Sequence, residues 1–226
     1  LLEQDSDAVD FGVVDCVTSL FQQQSISRLW LDMPLGFSDD VEGRACEKVA
    51  RKMLRANGIS RAASVFNPPS RKALYCETYE QANALNKQVV GKGLSKQAWF
   101  IVPKMRELDQ FLQQRPDLNS CVDECHPEVA FTALNALIPM RFNKKTAEGY
   151  AERLAILRRY YPAAECVIND ALAAYPRKIL MRDDVVDAFV VAISAKFSAT
   201  EISYLPEQPQ YDELGICMRM VYWLGH

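Results

Sequence analysis

Hydrophobic residues occur along the chain both in a short run and in longer stretches with helical spacing. Residues 28–34 form a nearly continuous apolar run that a proline closes, which is typical of a strand buried on both faces of a sheet. Residues 119–126, which end before Pro127, are the next candidate for a core strand. From Asp183 or Asp184 onward, apolar residues recur every three or four positions, which predicts a helix. The pattern therefore predicts an α/β fold.

The remaining predicted elements continue this alternation. A hairpin is predicted from residues 1–3 and 8–17, and two strands are predicted near the carboxyl terminus from residues 201–205 and 216–224. Six further stretches are predicted to be helical, namely residues 18–24, 38–56, 75–90, 103–114, 144–160 and 164–174. Residues 98–102 are predicted to form a short strand or a loop. Residues 36–118 then form a mainly helical insertion between two core strands.

The composition is that of an ordinary globular protein. Of 226 residues, 49% are hydrophobic and 24% are charged, which favours one domain over residues 1–226. The longest uncharged apolar stretch, residues 188–195, is far shorter than the ~20 residues of a membrane helix. Seven cysteines without paired short spacings are typical of reduced thiols, which predicts a cytoplasmic protein.

The net charge of −3 argues against a global positive field that would attract long nucleic acids. Local cations or a metal ion would have to hold any polyanion.

Acidic residues lie at the ends of several predicted core elements. Asp32 ends the first buried run, at the sheet edge where α/β proteins bind ligands, although such a residue also caps turns. Asp184 and Asp187 project from one side of a first helical turn, which suits either a divalent cation or helix capping. Glu124, His126 and Glu128 occupy alternate positions and share a face for as long as the second strand persists, while the alternative for the two glutamates is to face solvent or pair with lysines. Carboxylates gathered at one edge would repel each other unless a cation joined them.

His126 lies between these two glutamates and is the only histidine besides His226. A lone histidine is more often a hydrogen-bonded structural residue than a catalytic one.

Several short motifs occur in an order that resembles a known family. They are Leu31-Asp32-Met33-Pro34-Leu35-Gly36, Arg44-x-Cys46, Ser64-Val65-Phe66-x-x-Pro69-x-Arg71, Gly91-Lys92-Gly93-Leu94-Ser95-x-Gln97, Glu124-x-His126-Pro127-Glu128, Lys144-Lys145-Thr146-x-x-Gly149 and Asp183-Asp184-x-x-Asp187-Ala188. Together they resemble domain-of-unknown-function family 429, whose members are predicted nucleases with a ribonuclease-H-like fold. The resemblance covers about residues 1–224, and the ordered set is far more specific than any single motif.

This resemblance implies a mixed five-stranded sheet with helices on both faces and a site for one or two Mg²⁺ or Mn²⁺ ions. It implies that Asp32, Asp184 and Asp187 are metal ligands and that Glu124 joins them as a catalytic candidate. The neighbouring His126, Glu128 and Asp183 are secondary candidates. The fold's first strand normally carries a further acidic ligand, and this sequence begins after that point, so we expect the strand to be missing or to precede Leu1.

Basic residues within the motifs and near them are candidates for binding phosphate. They are Arg44, Arg71, Lys92, Lys104, Lys144, Lys145 and Arg153. For at least half of them, solvated surface charge is the favoured alternative.

The leading functional hypothesis is a metal-dependent nuclease or phosphodiesterase that acts on nucleic acid or a nucleotide. The second hypothesis is a non-catalytic binding or regulatory module with the same fold. The third is a nucleotide-binding phosphotransferase, which the short chain and the lack of a glycine-rich phosphate loop make less favoured.

Overall fold

The computed structural model describes residues 1–3, 8–23, 26–198 and 201–225. The helices of this part of the chain are α1 (Val17–Gln23), α2 (Ala45–Met53), α3 (Arg71–Leu74), α4 (Tyr79–Val90), α5 (Lys96–Gln114), α6 (Pro127–Leu134), α7 (Ala147–Tyr160), α8 (Ala164–Ala174) and α9 (Arg182–Phe197). The strands are β1 (Leu29–Leu31), β2 (Arg55–Ala56), β3 (Ile59–Ser60), β4 (Val122–Glu124), β5 (Ser203–Leu205) and β6 (Met220–Tyr222). No helix among these residues is both long and apolar enough to cross a membrane.

The central sheet is mixed and has four strands within the described residues, in the order β1, β4, β6, β5. β1, β4 and β6 are parallel, and β5 is antiparallel to β6. The α/β architecture is thereby confirmed. The implied fifth strand is not among the described residues of this sheet, since β2 and β3 pair separately.

The predicted amino-terminal hairpin is reduced to a single antiparallel bridge between Leu2 and Val9. Its predicted turn, residues 4–7, lies outside the described residues.

Side chains of β1 alternate between two hydrophobic clusters. Leu29 packs with Val122 and Phe111 in one cluster, and Trp30 packs with Val190 and other residues of α6 to α9 in another. Because successive strand residues point to opposite faces, these clusters lie on opposite faces of the sheet. Asp32 follows the period of Trp30, so the strand directs it toward the face that α9 covers.

The helical content of the insertion differs from the prediction in two places. Residues 98–102, predicted as a strand or loop, lie inside α5 despite Pro103. The helix begins at the Ser95 cap, whose side chain accepts a hydrogen bond from the backbone N–H of Ala98, and it buries Val102 and Met105 on either side of the proline. In α5, packing of these side chains outweighs the one backbone hydrogen bond that Pro103 cannot donate.

The helix predicted over residues 38–56 is shorter in the structure, because α2 begins only at Ala45.

Candidate active site

A cavity of about 670 Å³ lies between β1 and α9. Asp32 borders it from the carboxyl end of β1, and Asp184 and Asp187 border it from the first turns of α9. Lys144, in the loop before α7, lies at the same end. The three residues expected to be metal ligands thus border one cavity.

Asp32 keeps contact with solvent through the cavity. The protein around it nevertheless withdraws it from bulk water, and this desolvation raises the pKa of its carboxyl group above the ordinary value. His126 in its protonated form and Lys144 act in the opposite direction, because a positive charge favours the carboxylate. Asp32 is therefore an acidic group whose charge the protein compensates only in part.

Asp187 forms an ion pair with Lys144, whose Nζ lies 2.5 Å from Oδ2 of Asp187 and 3.9 Å from Oδ2 of Asp183. Burial raises the pKa of Asp187 to about 6, the Lys144 ammonium opposes this rise, and the charges of Asp32 and Glu128 add to it. Burial alone would lower the pKa of Lys144, but its carboxylate neighbours raise it. The ammonium group therefore occupies the position of a cation among acidic side chains.

Asp184 borders the cavity, but its carboxylate also serves the helix. Its Oδ2 accepts a hydrogen bond of 3.1 Å from the backbone N–H of Met181, at the amino end of α9. An acidic side chain there also complements the helix dipole. The helix-capping interpretation of Asp184 is thereby confirmed, and its role as a metal ligand stays a prediction.

Glu128 and His126 lie at the start of α6, since β4 ends at Glu124 and the strand period does not reach them. His126 caps α6: its Nδ1 accepts from the backbone N–H of Glu128 at 3.2 Å, and its Nε2 lies 3.3 Å from the carbonyl oxygen of Ser64. Glu128 forms a buried ion pair with Arg153 through Oε1, while its Oε2 is buried without a hydrogen-bond partner. The negative charge of Glu128 raises the pKa of Asp187, so Glu128 influences this site although it does not border the cavity.

Glu124 lies away from this cavity. Its position pairs with Leu31 across the parallel strands, so its side chain lies on the face opposite to Asp32. There it forms a buried ion pair with Arg44 and accepts a hydrogen bond of 3.1 Å from the backbone N–H of Leu35. Burial raises the pKa of Glu124 to about 7, Arg44 opposes the rise, and the second buried carboxylate, Glu47, adds to it. The structure does not bring Glu124 together with Asp32 and Asp187.

Of the seven residues considered for phosphate binding, Lys144 alone borders the cavity. Three are arginines in ion pairs with carboxylates: Arg44 with Glu124 and Glu47, Arg71 with Asp109 and Asp212, and Arg153 with Glu128. The other three are lysines of which Lys92 and Lys145 are exposed, while Lys104 contacts Glu107 and the carbonyl oxygen of Asp15.

Two basic residues at the far end of the cavity, Arg28 and Lys196, were not predicted from the sequence as site residues. Asp187, Val191 and Ala195 are spaced four residues apart, so helical periodicity could have predicted that this face of α9 borders the site.

Within the described residues, no three histidine, cysteine, aspartate or glutamate side chains are arranged closely enough to hold a metal ion as they stand. At Asp187, the Lys144 ammonium neutralises the carboxylate instead.

No curated protein and no solved structure is similar enough to the chain to give a match. A family model described as "Protein of unknown function (DUF429)" matches residues 1–211, which is most of the chain. The chain therefore belongs to the DUF429 family.

Proposed function

We propose that this protein is a metal-dependent nuclease or phosphodiesterase and that its active site is the acidic end of the cavity between β1 and α9. One observation carries the proposal: Asp32 from the sheet and Asp187 from α9 border the same open cavity. Two separate elements thus present carboxylates to one space that a substrate can enter.

The carboxylates at the cavity are of the ligand type that Mg²⁺ or Mn²⁺ prefers, but they would have to move closer together to hold the ion. Both ions prefer oxygen ligands, and the cavity offers the carboxylates of Asp32, Asp184 and Asp187. Lys144 marks the position of positive charge, and a bound ion would have to displace its side chain, which is 35% exposed, toward solvent. A bound Mg²⁺ or Mn²⁺ ion would supply a nucleophile by lowering the pKa of water and would stabilise charge on a phosphodiester.

The chain's own residues have distinct roles in this proposal. Asp32 and Asp187 would hold the cation, and Asp184 would join them only by giving up its cap contact with the backbone N–H of Met181. Lys144, once displaced, would donate a hydrogen bond to a phosphate oxygen of the substrate from the border of the cavity. The Glu128–Arg153 ion pair lies behind Asp187 and holds this side of the cavity in place.

The same proposal includes a ribonuclease-H-like core. The parallel pair β1 and β4, the acidic residue after β1 and the helix α9 across that strand are compatible with it. Fold likeness alone would not assign a reaction, so the acidic cavity carries the argument.

A second candidate, a non-catalytic binding module, is favoured by the Lys144–Asp187 ion pair. In a protein that binds no metal, a lysine would be the permanent partner of these carboxylates.

Hydrolysis assays distinguish the two candidates. The protein would be incubated with Mn²⁺ and a panel of branched, single-stranded and duplex DNA and RNA, together with a simple phosphodiester. We expect cation-dependent cleavage that Asp32→Asn or Asp187→Asn lowers by about a hundredfold or more. Asp170→Asn, an exposed aspartate on α8, is the matched control and should cleave at the wild-type rate. A folded Asp187→Asn protein with wild-type cleavage would remove the assignment.

A further inference from the structure

A second cavity, of about 80 Å³, lies where α2 meets the loop before α3 and the turn after α4. It shares no lining residue with the cavity at Asp32, and neither β1 nor the amino-terminal residues border it. α2 packs against β5, which lies at the other edge of the described sheet from β1. We call this space the α2 cavity, and it is separate from the proposed active site.

Arg51 forms one wall of the α2 cavity and is held in place by neutral groups. Its Nε donates a hydrogen bond to the carbonyl oxygen of Val65 at 3.1 Å, and its Nη2 donates to Oδ1 of Asn67 at 2.5 Å. In the part of the chain that the structure describes, no carboxylate pairs with Arg51 and no acceptor bonds to its Nη1. The guanidinium is therefore fixed in position while its charge stays uncompensated and a donor stays available.

Lys92 forms a second wall, in the turn that follows α4. Gly91 ends that helix with a φ of 70°, and the buried side chain of Asn86 fixes the turn. Its Nδ2 donates to the carbonyl oxygen of Lys92 at 2.8 Å, and its Oδ1 accepts from the backbone N–H of Ser70 at 2.7 Å. The Lys92 side chain is exposed and has no carboxylate partner among the described residues. A second uncompensated positive charge thus borders the same small space.

The other charges around the α2 cavity are paired. Lys48 forms an ion pair of 3.1 Å with Glu42, and Arg44 pairs with Glu47 and with Glu124, which lies outside the lining. Four basic residues therefore face three carboxylates, and positive charge is in excess. An anion that enters the cavity would contact the two cations that have no acidic partner.

The volume of the α2 cavity limits the size of that anion. One water molecule occupies about 30 Å³ in the liquid, so 80 Å³ corresponds to about three waters. A tetrahedral phosphate group fits such a space, whereas a whole nucleotide does not. Arginine and lysine are the side chains that commonly bind phosphate oxygens, the first through its N–H fork and the second as a point charge.

We propose that the α2 cavity binds a single phosphate group through Arg51 and Lys92. The group belongs either to a free phosphate ion or to the terminal phosphate of a nucleotide or oligonucleotide, whose remaining atoms would lie in solvent beside the exposed Lys92. The site does not depend on the proposed metal ion or on hydrolysis, because none of their residues borders the α2 cavity.

The test titrates the whole protein with inorganic phosphate at low ionic strength, where charge is least screened, and follows binding by calorimetry. Wild-type protein should bind phosphate. Arg51→Gln and Lys92→Gln should each weaken binding by about tenfold or more, because each removes a charge-assisted hydrogen bond. Lys52→Gln is the matched control: it removes an exposed positive charge one position from Arg51, outside the cavity lining, and should change binding by less than about twofold.

Two further measurements separate the active site and identify the source of the phosphate. Lys144→Met should bind phosphate as wild type does, because Lys144 borders the other cavity. A dinucleotide with a 5′-phosphate and the same dinucleotide with a 5′-hydroxyl would then compete with inorganic phosphate. Competition by the phosphorylated form alone assigns the site to a terminal phosphate, and competition by neither assigns it to the free ion.

Four results would overturn the proposal. They are a wild-type protein that leaves millimolar phosphate unbound, an equal loss of binding in Lys52→Gln, equal competition by both dinucleotides, and binding that Lys144→Met removes while Lys92→Gln does not. Arg51→Gln also breaks the contacts with Val65 and Asn67, so a thermal melt checks its folding. If that variant does not fold, Lys92→Gln carries the test, because the Lys92 side chain is exposed.

Discussion

Asp187→Asn is expected to make the metal-free protein more stable at neutral pH, although it removes an ion pair. Burial raises the pKa of Asp187 from 3.8 to about 6, so the folded protein favours the protonated form more than the unfolded chain does. Stability from this group is complete below the unfolded pKa of 3.8 and is lost as pH rises through about 6. Asparagine keeps the shape of the protonated acid and does not ionise.

The size of the effect follows from the same pKa difference. A change of one pH unit in a pKa corresponds to about 1.4 kcal/mol, so the rise to about 6 corresponds to about 3 kcal/mol at most. The Asp187 side chain retains 13% exposure, and Lys144 keeps Asp183 as a neighbour after the substitution. We therefore expect a gain of about 1–2 kcal/mol at pH 7.5 and about a third of that at pH 4.5.

The assay is denaturant unfolding of both proteins in a metal chelator at these two pH values. Asp184→Ala is the control, because it removes the cap on Met181 and should cost about 1 kcal/mol at pH 7.5. An Asp187→Asn protein less stable than wild type at pH 7.5, or a difference that does not change with pH, would refute the reasoning.

Three further substitutions test other parts of the structure. Burial raises the pKa of Glu124 to about 7, so wild type should lose stability as pH rises from 5 to 8, and Glu124→Gln should reduce that loss by up to about 3 kcal/mol in denaturant melts. Arg153→Met leaves the buried carboxylate of Glu128 without its partner, and a loss of about 3–5 kcal/mol is expected by the same melts. Gly149→Ala would place a Cβ 1.9 Å from the carbonyl oxygen of Asn143, so thermal melts should show a marked loss of stability, and an unchanged midpoint would contradict this packing.

Local pattern predicted the elements that meet at the cavity. The apolar run that contains Asp32 corresponds to β1, and the helical spacing after Asp184 corresponds to α9. A strand buried on both faces has a continuous run of apolar residues, whereas a helix buried on one face has an apolar residue every three or four positions. The two-residue strand period also accounts for the convergence of Asp32 with α9, once the strand is known to lie beside that helix.

Long-range pairing was not predictable from the same pattern. The register that places Glu124 opposite Leu31, and so on the other face from Asp32, depends on how two distant strands align. The ion pair of Glu124 with Arg44 joins residues 80 positions apart, and the contact of Lys144 with Asp187 joins residues 43 apart. Helix α5 continues through Pro103 because tertiary packing outweighs a local preference.

Direct binding of Mn²⁺, measured from the free-ion signal in electron paramagnetic resonance, tests the central claim most directly. Metal-free wild-type protein should bind Mn²⁺, and both Asp32→Asn and Asp187→Asn should abolish or strongly weaken that binding. Lys144→Met should tighten it by about tenfold or more, because the ammonium competes with the ion for Asp187. Wild-type protein that leaves millimolar Mn²⁺ free, or binding that Asp187→Asn does not change, would contradict the metal site and the hydrolytic function proposed for it.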